Sequence, residues 1–136
     1  MKLRIVLDTN VLISGIFFTG SPYEILKAWK EKHIQFVITA EIFDEYVRVA
    51  EILSNKYATV NISKVLDLIA IHSEIIQPVV LPTQICEDKD DDKFIACALS
   101  GEVDVIVSGD KHLLRLNGFK GIEIIKPKSF CVKYLS

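Results

Sequence analysis

Apolar residues along the chain alternate between short solid runs and longer runs spaced at helical intervals. Leu3 to Leu7 is the first solid run. It is too short for a helix and too uniformly apolar for a strand with one wet face, so it predicts a central strand of a parallel sheet. Ser21-Pro22-Tyr23-Glu24 then combines an N-cap serine, a first-turn proline and a capping-box glutamate. This predicts a helix from about Pro22 to Lys32, with Ile25, Leu26 and Trp29 on its core face. Phe36 to Ile38 reads as a second strand, and Thr39 as the cap of a helix from Ala40 to about Ser54. Asn61 or Ser63 starts another helix that runs to about Ser73. Pro78 to Gln84 holds two prolines and reads as a loop or edge element. Asp90, Asp91 and Asp92 precede the apolar run Phe94 to Leu99, where acids at a helix start are favoured by the helix dipole, and Gly101 ends that helix. Val103 to Val107 is a third clear strand. Asp110 to Leu116 is a short helix closed by Asn117-Gly118, Ile122 to Ile125 a last strand, and Pro127 the start of a terminal turn around Phe130. Strands alternating with helices predict a parallel sheet covered on both faces, a three-layer α/β domain. No internal repeat, low-complexity tract or linker interrupts residues 1–136, which read as a single domain.

Composition narrows the class. With 136 residues, half of them hydrophobic and a quarter charged, the chain fits one globular domain and not a disordered one. At this length a hydrophobic core suffices without disulfides or structural metal. Cys86, Cys97 and Cys131 are scattered and lack the spacing of a zinc site, which points to a reducing, cytoplasmic location. The start of the chain meets Asp8 before any run of signal-peptide length, and Val11 to Phe18 falls short of the ~18 apolar residues of a membrane span. No membrane association is expected. The net charge of −2 removes the basic field of a protein that binds nucleic acid by charge alone, so a phosphate-bearing substrate needs a local device such as a metal.

Open parallel sheets bind ligands beyond the carboxyl ends of their strands. That edge receives Asp8 from the first strand and Ser108-Gly109-Asp110 from the strand Val103 to Val107. Asp90, Asp91 and Asp92, opening the helix that leads into that strand, are placed to face it too. Converging carboxylates repel, and oxygen ligands of this kind select a hard cation, Mg²⁺ or Mn²⁺, which suits phosphodiester hydrolysis. Each acid also has a plainer reading. Asp8 alone reads as a turn or cap residue, and the aspartate run as a solvated helix start. Glu41, Asp44, Glu45 and Arg48 form an i, i+3, i+4 stripe typical of a salt-bridged surface, but Glu45 projects near Val49 and Ile52 at the apolar border and is within reach of a cleft. Ser14, Ser108 and His112 come without a nucleophile elbow, so acyl transfer is disfavoured. No GxxxxGK[ST] or GxGxxG is present. A phosphatase built on an acid after its first strand would want a second aspartate two positions after Asp8, where Asn10 stands.

Leu7-Asp8-Thr9-Asn10-Val11-Leu12-Ile13-Ser14, followed by Gly20-Ser21-Pro22, resembles the opening of a PIN domain. Glu45, then Asp90-Asp91-Asp92-Lys93-Phe94, then Val107-Ser108-Gly109-Asp110 with Leu113-Leu114, continue the likeness in order over the whole chain. The resemblance implies a three-layer α/β/α PIN-like domain with a central parallel sheet. It further implies a Mg²⁺- or Mn²⁺-dependent ribonuclease, most similar to the toxin components of prokaryotic toxin-antitoxin systems. Asp8, Glu45, Asp92 and Asp110 match the family's acidic quartet, and Asp92 is taken over its neighbours because the family acid directly precedes the apolar helix. Thr9, Asn10 and Ser108, with Asp90, fall where the family orders its acids from behind, Ser108 replacing a frequent threonine. Lys93, Lys111, His112 and Arg115 are candidates for the RNA backbone. RNA, a cognate antitoxin and a second copy of the chain are the partners implied. A PIN-like module that binds RNA or a protein without cutting is the alternative, against which the presence of all four acids argues.

Overall fold

A computed structural model describes residues 2–136. The elements run β1 (Leu3–Leu7), α1 (Thr9–Phe17), α2 (Ser21–Lys30), β2 (Ile34–Ile38), α3 (Ala40–Ser54), α4 (Ile62–His72) and β3 (Glu74–Ile75). A 3₁₀ turn at Lys89–Asp91 leads into α5 (Asp92–Ser100), followed by β4 (Val105–Val107), α6 (Lys111–Leu114), a second 3₁₀ turn at Phe119–Gly121, β5 (Glu123–Ile125) and α7 (Pro127–Tyr134). The sheet order is β3-β2-β1-β4-β5 and every pairing is parallel. Ile5, Val6 and Leu7 are fully enclosed, as the unbroken apolar run of a central strand requires. The helices close over both faces to give the three-layer α/β/α arrangement expected from the sequence.

The chain builds outward from β1 through β2 to β3, then returns to the other side of β1 with β4 and β5. The direction of building therefore reverses between β1 and β4, and a crevice opens at their carboxyl ends. The pairing of Leu7 with Val107 fixes which residues meet there, because it carries Asp8 and Ser108 out of the sheet side by side.

Four local features differ from the sequence expectation. Thr9–Phe17 is a helix, α1, although its run of buried apolar residues shows little amphipathic contrast. Ser21 lies inside α2, and the capping position falls to Gly20, whose φ of 117° only glycine adopts readily. The edge strand β3 is two exposed residues long, below what periodicity reveals. The turn around Phe130 extends into the eight-residue helix α7. Thr39 and Asn61 cap α3 and α4 as expected, accepting from Ile42 N and Lys64 N. Among the described residues no helix is long and apolar enough to cross a membrane.

Candidate functional site

Asp8 leaves β1 with its backbone N–H donating to Val107 O at 3.0 Å, so the sheet ladder itself holds it against β4. It occupies the N-cap position of α1, yet its side chain caps nothing. The carboxylate accepts instead from Ser108 Oγ at 2.6 Å, and that hydroxyl accepts from Asp110 N at 2.9 Å. Ser108 is fully buried and thus ties two acids from distant parts of the chain, Asp8 and Asp110, into one unit. Asp110 turns back to cap α6, accepting from His112 N at 2.8 Å. Asp8 is only 5% exposed. Burial pushes its pKa up, Asp110 and Glu45 push it further, and the bond from Ser108 works against them.

The third acid of this group is Asp91. It stands beside Asp110, and its own pKa is pushed up to about 7, first by burial and then by Asp110, Asp8 and Asp88. Its Oδ2 is buried with no hydrogen-bond partner. The sequence expectation that Asp92 aims at the cleft is corrected here. Asp92 turns the other way and accepts from Ile85 N at 3.0 Å and Cys86 N at 2.6 Å. Burial alone would raise its pKa, but those donors hold it below the ordinary value. Its place in the fold is to pin the incoming loop to the start of α5.

Glu45 lies beside the group without a free oxygen. Thr9 Oγ1 donates to Oε2, while Lys93 Nζ sits 2.6 Å and Arg48 3.6 Å from Oε1. Its neighbour Tyr46 is buried and donates to Leu7 O at 2.5 Å, which locks α3 to the end of β1. Lys93 was expected to face RNA. It is instead enclosed, with a side chain 6% exposed, between Glu45 and Asp90 Oδ1 at 3.1 Å. Asp90 is itself 69% exposed in its side chain and acts on this lysine, not on Asp110. His112 and Arg115 both reach Glu87, each at 3.0 Å, whereas Lys111 is exposed.

A cleft of about 370 Å³ opens beside Asp110, lined by Asn10, Val11, Ser14, Gly109 and Pro127 among others. Asn10 is exposed at its mouth. Pro127 brings α7 to this rim, and the exposed Lys126 and Lys128 flank it. The sequence reading missed both lysines, since only the pairing of β4 with β5 puts them at this edge. A larger cleft of about 800 Å³, lined by Leu3 and Ile34, lies at the opposite, amino ends of the strands, away from Asp8, Asp91 and Asp110.

Among the described residues no group of three His, Cys, Asp or Glu side chains is placed to hold a metal ion as it stands. The donor chemistry of Asp8, Asp91 and Asp110 nevertheless suits a hard cation: carboxylate oxygens, one of them buried and lacking any partner. A divalent ion would satisfy the stranded oxygen. The PIN domain family matches this chain over residues 4–112. An uncharacterised protein of Methanocaldococcus jannaschii is 32% identical over 123 residues, covering 85% of this chain and 76% of its own length.

Proposed function

Since this chain belongs to the PIN-domain family, whose fold is nuclease-like, we propose that it is a Mg²⁺- or Mn²⁺-dependent ribonuclease that hydrolyses phosphodiester bonds in RNA. Asp8, Asp91 and Asp110 would hold the ion. The observation that carries this reading is the meeting of three aspartates from separate segments at the sheet's switch point, with a partnerless buried oxygen among them. When bound, such an ion supplies positive charge to the scissile phosphate and acidifies an attacking water. Ser108 fixes the orientation of Asp8 through its short hydrogen bond and, through Asp110 N, the start of α6. Asp91, whose pKa is pushed up to about 7, would have to give up its proton for an ion to bind there. Asn10 offers an amide to the substrate at the mouth of the cleft, and Lys111, Lys126 and Lys128 offer charge to the RNA backbone around it.

The order of the motifs also supports a finer role as the toxin of a toxin-antitoxin pair, acting in the cytoplasm, with an antitoxin and a second copy of the chain as partners. The enzymatic reading is tested with a fluorescent single-stranded RNA and purified protein in Mn²⁺, in Mg²⁺ and in EDTA. Cleavage is expected with either ion and not in EDTA, and Asp8→Asn is expected to lose on the order of 100-fold or more of the rate while remaining folded. No cleavage under any condition, or a wild-type rate in Asp8→Asn, would overturn it in favour of a module that binds without cutting.

A further inference from the structure

We propose that Lys93 stands in the place of a second metal ion, so that the site takes one divalent cation and Glu45 is not among its ligands. The inference rests on the ribonuclease reading and adds to it how the fourth acid is neutralised. Both oxygens of Glu45 are committed: Oε2 to the hydroxyl of Thr9 and Oε1 to the ammonium of Lys93 at 2.6 Å. That ammonium is not a surface charge that swings away. Its side chain is 6% exposed, and Asp90 holds it from the far side at 3.1 Å.

Charge balance gives the same answer. Asp8 and Asp110 are joined through Ser108, Asp91 stands beside them with a partnerless buried oxygen, and one divalent ion offsets two of their three charges. Glu45 has its own cation. A second divalent ion drawn to Glu45 would have to expel Lys93 from an enclosed position or sit beside its positive charge in a poorly screened interior. On the outer side of Glu45 a cavity of about 230 Å³ is lined by Glu41, Asp44 and Asp90 together with Arg48 and Lys93, the two cations that stand at Glu45 Oε1. The fixed geometry follows from the elements, because Tyr46 ties α3 to β1 and the start of α5 is pinned by Asp92.

Calorimetric titration with MnCl₂ alone, backed by the electron paramagnetic resonance count of bound Mn²⁺, tests this without any turnover. The wild type is expected to bind one ion per chain. Glu45→Gln should keep that stoichiometry with an affinity within about threefold of wild type, whereas Asp8→Asn should lose roughly 10-fold to 100-fold. Lys93→Met should free Glu45 and Asp90 and raise the count to two. Two ions in the wild type, a loss in Glu45→Gln as large as in Asp8→Asn, or one ion in a folded Lys93→Met would each overturn the proposal. If Lys93→Met does not fold, the wild-type count and Glu45→Gln decide. A wild type that binds no Mn²⁺ would instead sink the metal-dependent reading on which the proposal stands.

Discussion

Asp91 and Asp92 are adjacent, identical and oppositely employed. One carries a buried oxygen with no partner beside Asp110, and the other spends both oxygens on backbone N–H groups. Their substitutions should therefore separate cleanly. In the folded chain Asp91 keeps its proton up to about pH 7, against an ordinary value of 3.8. Between those values the folded state binds more protons than the unfolded one, so stability falls as pH rises, and Asp8, also raised, adds to the fall. Asp91→Asn is expected to flatten that fall, raise the melting temperature of the metal-free protein at about pH 8, and weaken Mn²⁺ binding roughly 10-fold to 100-fold. Asp92→Asn should leave Mn²⁺ affinity near wild type and cost about 1.5–3 kcal/mol of stability, since an amide keeps only one acceptor for two donors. Melts in EDTA across pH, with Mn²⁺ titrations of both variants, check this, and the opposite pattern would return the ligand role to Asp92. The sequence makes Asp8, Asp110 and Glu45 legible because strand ends and helix faces have a fixed period. It also shows that neighbouring acids at a helix start diverge by about 100°. Which of them turns inward depends on the 3₁₀ turn at Lys89–Asp91 and on the loop N–H groups at Ile85 and Cys86, and no local pattern encodes either.

The same distinction between local and long-range information holds for whole elements. Strands β1, β2 and β4 and helices α3, α4 and α5 are readable from apolar runs and capping residues. Helix α1 is not, because Val11, Leu12, Ile13 and Gly15 are buried around most of its circumference and leave little polar face to mark the period. What holds α1 in place is its closeness to α2. A Cβ on Gly15 would lie 2.7 Å from the carbonyl oxygen of Pro22, a contact that a backbone atom cannot relieve by rotating. In an open helix, glycine to alanine would stabilise by about 0.5–1 kcal/mol. Here Gly15→Ala is expected to destabilise by about 1–3 kcal/mol, the usual cost of overpacking. Because α1 also carries Thr9, which holds Glu45, the variant should loosen the Glu45–Lys93 pair as well. Urea unfolding measures the first effect, and a stability equal to or above wild type would show that α1 and α2 separate freely.

At the scale of the molecule, a net charge of −2 gives no general attraction for RNA, so affinity must come from where the cations stand. His112 and Arg115 are drawn onto Glu87 and Lys93 onto Glu45 and Asp90, whereas Lys111, Lys126 and Lys128 are exposed and adjoin in the chain Asp110 and Pro127, which line the 370 Å³ cleft. They come from the ends of β4 and β5, strands whose carboxyl ends adjoin the acids, so the topology that gathers the aspartates gathers their basic rim as well. A strand of RNA crossing the cleft would meet negative charge at the centre and positive charge at the edge, with the divalent ion reversing the sign at the centre. If the three lysines contact phosphates, each releases counterions, and for single strands the slope of log affinity against log salt changes by roughly 0.7 per contact. In an Asp8→Asn background, where cleavage does not interfere, Lys111→Gln, Lys126→Gln and Lys128→Gln combined are expected to flatten that slope by about two and to weaken unrelated RNA sequences alike. Fluorescence anisotropy over a series of salt concentrations measures it. An unchanged slope would place the RNA path on another face of the molecule.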